Sequence, residues 1–496
     1  MTKNNFDVVV VGAGNAALCS AIAARETGAS VLVLEKGPKK KRGGNSFFTD
    51  GAIRVAFNSL DDLRKLIPAM TDEKADKIVM PSYTTEQYRA DFQRITQGQT
   101  DTTLSNTLID NSFATMQWLQ SHGLEFDLIY DNQSFLKEGK HHFWGGLVVK
   151  SVGRGIGLIN SLVDIATQMG VEIWYEAAGT ELTKDETGKV TGIYVKRGDQ
   201  PELIKAKAVV LACGSYEGSM QKRIAQMGPE WEKAILRGTE YNTGDGIDMA
   251  IAAGAVRYGD WKMGHAISTD ANAPKVGDFT VPGDIFKKSS YPIGLIVNKE
   301  GKRFVDEGAD FRNYTYAKYG REVLKQTDAM AYHVFDGHVA HLLRSEYREA
   351  LCTKFESDTL EGLIDQLDID QAQFATTIDL YNQAVQDGDF NPQILDGKRT
   401  VGLEVDKTNW ANSISKPPFL AFPVTCGLTF AFGGVKATTQ AEVVDARDEA
   451  IPGLYAAGEM IGGLFYHNYP GGSGLASGAV FGKIAGSNAG TYTTSG

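Results

Sequence analysis

Apolar and polar positions alternate along this chain in blocks whose periods change with the element they predict. Residues 6–11 (FDVVVV) form a continuous apolar run, the pattern of a strand covered on both faces of a parallel sheet. A turn-forming stretch follows, GAGNAA at 12–17, then LCSAIAARETG, which is apolar at helical spacing, then a second apolar run, SVLVL at 30–34. The same strand signature returns at Ala208–Ala212 and at Leu454–Ala457, and a helical pattern (IDMAIAAGA) opens after Thr243-Gly244-Asp245-Gly246. Near the end, YPGG at 469–472 reads as a turn, and the small, apolar stretch after it, from Gly474, reads as a helix packed closely against another element.

Register turns the first block into chemistry. The strand, GxGxxA, helix and second strand stand in order, and Glu35 ends the second strand 21 residues after Gly14. Gly12 makes the tight turn, and Gly14 lets a pyrophosphate approach the N–H groups of Asn15 and Ala16 at the helix start. Ala17 allows close packing of helix on strand, and Glu35 accepts from a ribose hydroxyl. The pattern predicts a dinucleotide site. Lys36 follows directly, and Gly43-Gly44-Asn45-Ser46 suits a loop wrapped around a second part of the cofactor. The basic run Lys39 to Lys41 between them reads as a solvated loop.

The bulk numbers narrow the picture only slightly. A chain of 496 residues, 42% hydrophobic, has room for a large core and two or three domains. Its net charge of −11 argues against nucleic acid as a partner. Cys19, Cys213, Cys352 and Cys426 are far apart, with no CxxC or CxxCH spacing, so no metal site, cluster or attached haem is expected. No apolar run approaches the ~18 residues of a membrane span. Only Met1 to Asn5 precede the first strand, too few for a signal peptide, and the expected location is the cytoplasm.

Five separated blocks in fixed order resemble the flavoprotein family of fumarate reductase and succinate dehydrogenase, which also holds the 3-ketosteroid dehydrogenases. They are VVVVGAGNAALCSAIAA with LEKGP and GGNS, AVVLACGSYEG, TGDGIDMAIAAGA, VNKEGKRFVDE, and IPGLYAAGEMIGG with PGGSGLASGAVFGKIAG. GNAALC, GGNS, the HFWGG at 142–146 and RFVDEGADF are similar to the tricarballylate dehydrogenase subgroup.

The resemblance implies an α/β fold, with a Rossmann-like FAD-binding domain (1–255 and 426–496) and an inserted α+β capping domain (256–425) that closes over the flavin. It implies FAD held also by Gly51, Ala178, Cys213, Gly214, Thr243, Asp245, Gly458 and Glu459. The last helix, with Ser473, Gly474 and Leu475 at its start, would face the flavin edge and stabilise negative charge there. The histidines all lie at or after His122, so the GGNS loop has none to form a covalent flavin link, and non-covalent FAD is expected.

Hydride exchange at a CH–CH or C=C bond beside a carboxylate or carbonyl also needs a proton carrier. With one inserted residue, Arg312 after Gly301-Lys302-Arg303-Phe304 matches the family's catalytic arginine, and a structural pairing with Asp310 or Glu307 is the alternative. Tyr314, Tyr316 and Tyr319 are further candidate carriers. His265 matches a substrate-binding histidine. Thr429 and Tyr469 stand where fumarate reductases keep a histidine and an arginine, which argues against plain fumarate reduction, and Tyr469-Pro470-Gly471 is similar to the ketosteroid enzymes. Lys287, Lys288 and Ser290 occupy the stretch that elsewhere carries a proton relay. Thr429, Tyr314 and Ser473 are substrate-binding candidates, and Tyr130, Phe143, Trp144 and Tyr466 are aromatic wall candidates. The implied reaction is tricarballylate-dehydrogenase-like oxidoreduction, with enoate or enone reduction, ketosteroid-like desaturation, or flavin binding without turnover as alternatives. Electrons would pass through a separate protein, free reduced flavin or NADH.

Overall fold

The structure, a computed structural model, describes residues 4–198, 200–281 and 285–494. An eight-stranded sheet carries the first motif. The strand Asn5–Val11 lies parallel between Val31–Leu34 and Pro201–Leu211, with Val8 opposite Val31 on one side and Ala208 on the other. Glu172–Trp174 extends the parallel set beyond Val31–Leu34, and Ala450–Ala456 pairs parallel with the C-terminal half of Pro201–Leu211. Val8, Val9, Val10, Leu32 and Val33 are fully buried, which is why these strands read as unbroken apolar runs.

The strand expected at 208–212 begins seven residues earlier. Its first half alternates Ile204, Ala206 and Ala208 with Lys205 and Lys207, and pairs antiparallel with Val190–Lys196, itself paired with Ala178–Lys184. One strand therefore belongs to two environments, half-solvated at its start and buried at its end.

A second, six-stranded sheet is organised around Phe419–Ala431, which pairs with Ile235–Leu236, Gly264–Asp270, Met330–Phe335 and Phe355–Ser357, with Leu295–Asn298 beyond Met330–Phe335. The expected domain junction at 425/426 falls inside this 13-residue strand. Ile235–Leu236, on the N-terminal side of the other expected junction, is also part of its sheet. No composition shift marks either junction, because one buried strand serves both parts.

The C-terminal helix Ser473–Thr494 lies against the first helix, Asn15–Glu26. Gly478, Gly482, Gly486 and Gly490 recur every four residues and form one stripe. A Cβ on Gly482 would stand 2.5 Å from the Ala16 carbonyl oxygen, and one on Gly486 2.1 Å from that of Ser20. The helices touch backbone to backbone. Glycine normally weakens a helix interior by about 1 kcal/mol relative to alanine, so the stripe is retained for the approach it permits. Gly486→Ala is accordingly expected to lower stability by about 1–3 kcal/mol in urea melts, the cost of overpacking, where an exposed helical site would gain about 1. An unchanged or raised midpoint would show that the two helices are free to separate.

Candidate active site

An elongated cavity opens at the C-terminal ends of the parallel strands, lined by Val11, Leu34, Ala212 and Ala457, and runs to His265, Arg312 and Tyr469 near the second sheet. Ligands of open α/β sheets bind at this edge. Two helix N-termini meet there. Gly12 turns out of the first strand at φ +104°, where a Cβ would lie 2.5 Å from the Ala212 carbonyl oxygen. The Asn15 N–H then donates to Ser46 Oγ (3.2 Å), whereas those of Ala16 and Ala17 have no acceptor among the described residues. At the second helix, the N–H groups of Gly474 and Leu475 are likewise unspent and both residues line the cavity. Asn15 Nδ2 donates to the Leu475 carbonyl (2.9 Å), so the two termini are tied together.

The donor set fits an extended dinucleotide. Free helical N–H groups suit a pyrophosphate, and Glu35, buried at the strand end, is placed for a ribose. Glu35 accepts from the Gly37 N–H (2.7 Å), and burial pushes its carboxyl up to about 7 against the pull of that bond, of Ala13 and of Lys36. Lys36 Nζ holds Thr243 Oγ1 (2.6 Å) and Asp245 Oδ2 (2.7 Å), fixing the start of the helix Asp245–Ala252 beside it. Asn45 Nδ2 donates to Glu217 Oε1 (2.8 Å) and the Thr429 carbonyl (2.7 Å), and its Oδ1 accepts from the Thr239 N–H (3.1 Å). It therefore joins the wrapping loop to the strand Phe419–Ala431 and to the segments that carry Glu217 and Thr239. Glu459 lies beside it, pushed well above the carboxylate range by burial and then by Glu217. Cys213 lines the cavity as a thiol, pushed up to about 12 chiefly by burial. Gly44, Ala178, Gly214 and Gly458 also line it.

At the far end, His265 sits on a bulge where the pairing of Gly264–Asp270 with Phe419–Ala431 slips, which re-aims its side chain. It is buried, both ring nitrogens lack a protein partner, and burial followed by Arg237 and Arg312 pushes it well below the histidine range. The ring is neutral at pH 7. Tyr316 OH donates to Tyr469 OH (2.6 Å), and both tyrosines meet His265 edge-on. Burial holds Tyr469 above its usual value, opposed by Tyr316, the Gly472 N–H, Arg312 and Arg237. Arg312 lies 4.1 Å over the Tyr316 ring; among the described residues its Nε has no partner, and its side chain makes a long 3.4 Å contact to Asn313. The structural pairings open for it are filled by others. Glu307 is bound by Arg303 (2.6 Å), and Asp310 by Arg94.

Several expected residues are placed elsewhere. Ala17, Gly43 and Gly51 stand behind the lining: Ala17 is fully buried, Gly43 packs on Ile159 and Gly51 on Ser151. Tyr314 OH donates to Asp91 Oδ2 (3.0 Å), away from the cavity, which removes it from the substrate wall. Ser473 is buried behind the cavity, with its N–H on the Pro470 carbonyl (3.0 Å) and its hydroxyl on Tyr88 (2.8 Å), so it presents nothing to a ligand. Tyr319 bonds the Asp306 carbonyl at a distance from the lining. Tyr130, Phe143, Trp144 and Tyr466 do not line the cavity; Tyr130 packs edge-on against Phe143, and Trp144 stacks on Phe135.

Two lining residues, Arg237 and Asp50, belonged to no motif, and a third, Lys287, was noted only for its place in the relay stretch. Arg237 donates to Thr429 Oγ1 (2.6 Å), bringing a cation to the position where a histidine was missing. Lys287 pairs with Asp50, whose carboxyl burial raises but Lys287, Arg154 and Arg312 hold below the usual range. The one trace of Arg237 is a lone arginine after the apolar run Ala234-Ile235-Leu236.

A family model described as FAD binding domain matches residues 7–475. The fumarate reductase (cytochrome) of Shewanella frigidimarina is 29% identical over 493 residues, covering 99% of this chain and 78% of that protein. The vinyl phenol reductase of Lactiplantibacillus plantarum is 27% identical over 530 residues, covering 99% and 97%. In fold, the structure of 3-ketosteroid delta1-dehydrogenase from Sterolibacterium denitrificans superposes with a TM-score of 0.75 at 20% identity, covering 99% of this chain and 100% of that one.

The buried Glu35 generates a pH dependence. Its folded value, about 7, lies above the ordinary 4.5, so its contribution to stability is full below 4.5 and is lost as pH rises through about 7. Relative to Glu35→Gln, the wild-type apoprotein is expected to lose up to about 3 kcal/mol between pH 4.5 and pH 8 in urea unfolding. Parallel curves for the two proteins would mean that the carboxyl ionises freely in the fold.

Proposed function

This chain belongs to the FAD-binding-domain family of flavoproteins, and from that membership we propose that it moves a hydride and a proton across a C=C or CH–CH bond next to a carboxylate. It is an FAD-dependent oxidoreductase of the kind that acts on such bonds. FAD, when bound, supplies the hydride exchange. The observation that carries the reading is the state of Arg312: it lines the cavity beside Tyr316 and forms no ion pair among the described residues.

In this reading a guanidinium N–H of Arg312 supplies the proton to the carbon beside the carboxylate in reduction, and takes it back in oxidation. The stacked ring of Tyr316 and the buried surroundings keep competing water from solvating that N–H. Neutral His265 donates one ring N–H to the substrate oxygen, and Tyr469, polarised by Tyr316, donates its hydroxyl to a second acceptor. Arg237 and Arg312 together stabilise the enolate-like charge present on the substrate between hydride and proton transfer.

Ala16, Gly474 and Leu475 would hold the cofactor through backbone N–H groups, with Glu35, Lys36, Asn45, Ser46, Thr243, Asp245 and Glu459 around it. The finer expectation, a tricarballylate-like substrate with three carboxylates, requires a third cation, which Lys287 provides only by releasing Asp50. A second reading, a carbonyl substrate, is favoured by the hydroxyl pair Tyr316–Tyr469, which suits a neutral oxygen acceptor.

Holoenzyme reduced anaerobically is expected to be reoxidised by mono- or dicarboxylic enoates within seconds. Reoxidation by enones alone would select the second reading, and bleaching of oxidised enzyme by tricarballylate the finer one. If no member of the panel changes the flavin spectrum in either direction, the reading is wrong. Arg312→Gln is expected to lower turnover by about 10²–10⁴-fold with FAD content unchanged.

A further inference from the structure

A second buried charge cluster stands behind the cavity wall and reaches both sides of the site. The Arg54 side chain is fully buried; its Nε donates to the Gly471 carbonyl (2.7 Å), its Nη1 to Tyr83 OH (2.8 Å), and its backbone N–H to the Gly472 carbonyl (3.2 Å). Arg54 therefore grips the turn that follows Tyr469. That turn has little room to adjust, since Gly472 holds φ +83° and a Cβ there would meet Leu147 at 2.2 Å.

Helix Thr85–Ile95 supplies the other half of the cluster. Tyr88, Asp91 and Phe92 share its inner face, and Tyr88 meets Ser473 while Phe92 stacks on Phe465 (5.9 Å). Asp91 Oδ2 accepts from Tyr83 OH (2.6 Å) and Tyr314 OH (3.0 Å) and lies 3.6 Å from Arg54 Nη1. Its Oδ1 accepts from Arg94 Nη2 (3.4 Å), and Arg94 in turn binds Asp310 and covers the Tyr314 ring at 4.4 Å. Asn468 Nδ2 closes the circuit on the Tyr314 carbonyl (2.7 Å).

One carboxylate thus pairs at 3.6 Å with the guanidinium that grips the Tyr469 turn, shares Tyr83 with it, and accepts from Tyr314 in the segment that carries Arg312 two residues earlier. We propose that Asp91 is a positioning residue, which sets Arg312 and Tyr469 in register with each other across the cavity. The proposal rests on the reading of Arg312 as proton carrier. A carboxylate holding several donors, with a fully buried guanidinium beside it, resists rearrangement because any movement strands a buried charge. Precision at that level matters, since a displacement of about 1 Å at a reacting group can cost about 10²-fold in rate.

The test is hydrogen–deuterium exchange and turnover of the holoenzyme with Tyr314→Phe, which removes one hydroxyl and keeps the ring. Amides of residues 310–316 are expected to exchange about tenfold faster, at unchanged FAD content. Turnover on the compound that best reoxidises the enzyme is expected to fall about tenfold, with KM within about twofold and a larger solvent isotope effect, because the proton step has slowed. Arg94→Gln, at a half-exposed position, is expected to act in the same direction and carries the test if the tyrosine variant does not fold. Unchanged exchange in the variants overturns the proposal. So does a lower melting temperature with a wild-type isotope effect, which marks a structural role alone. Faster exchange with wild-type turnover overturns it too if Arg312→Gln is inactive; if Arg312→Gln is fully active, the assignment of Arg312 fails instead.

Discussion

The contact on which the site depends is the backbone approach of the first helix to the last. Four glycines at four-residue spacing remove every Cβ from one face of Ser473–Thr494, so that Gly482 and Gly486 rest on the carbonyls of Ala16 and Ser20. The contact joins the two ends of the chain and brings two helix N-termini to the same opening. A dinucleotide-binding helix alone offers one positive end for a pyrophosphate. Here a second one, 460 residues later, stands at a fixed offset set by Asn15 and Leu475. The cofactor site is therefore built by long-range packing, and its polar groups inherit their positions from glycine.

At the opposite end the governing term is buried positive charge. Arg312 forms no ion pair among the described residues, Arg237 donates to Thr429, and burial, followed by these two cations, keeps the His265 ring neutral. Guanidinium groups in a cavity carry a large desolvation cost that an anionic ligand offsets. His265, with two unpartnered ring nitrogens, is under the same pressure. Asp50 and Lys287 show the contrast: where an ion pair closes on itself, the carboxyl stays ionised and asks nothing of a ligand.

Much of this was legible in residue order. The nucleotide motif is local, spanning strand, turn, helix and acid within 35 residues, and local spacing is what a sequence displays. His265 and Arg312 were reached through family resemblance, and they share the cavity with Tyr469. What was hidden depends on tertiary direction. Tyr314 and Tyr316 are two residues apart, yet one points to Asp91 and the other to the cavity, because a short 3-10 turn at Arg312–Tyr314 precedes the helix Tyr316–Leu324. Ser473 failed as a ligand group since the YPGG turn spends its N–H on Pro470. The boundary expected at 425/426 meets one unbroken strand, Phe419–Ala431, buried along nearly all its length.

Arg237 changes how the missing histidine at position 429 should be understood. Thr429 looks like a loss when the residue is compared position by position. In three dimensions its hydroxyl is the acceptor that steers Arg237, from a strand that pairs with the same sheet, into the cavity. The pairing puts a permanent cation beside Thr429 in the cavity. At 469 the cavity presents a hydroxyl. A phenol donates one hydrogen bond and no charge, so it serves a neutral oxygen nearly as well as a carboxylate, whereas losing a buried arginine contact costs a carboxylate about 2–5 kcal/mol. The two kinds of donor are not separated in the cavity: Arg312 lies over the ring of Tyr316, whose hydroxyl bonds Tyr469, so guanidinium and phenol donors face the same ligand.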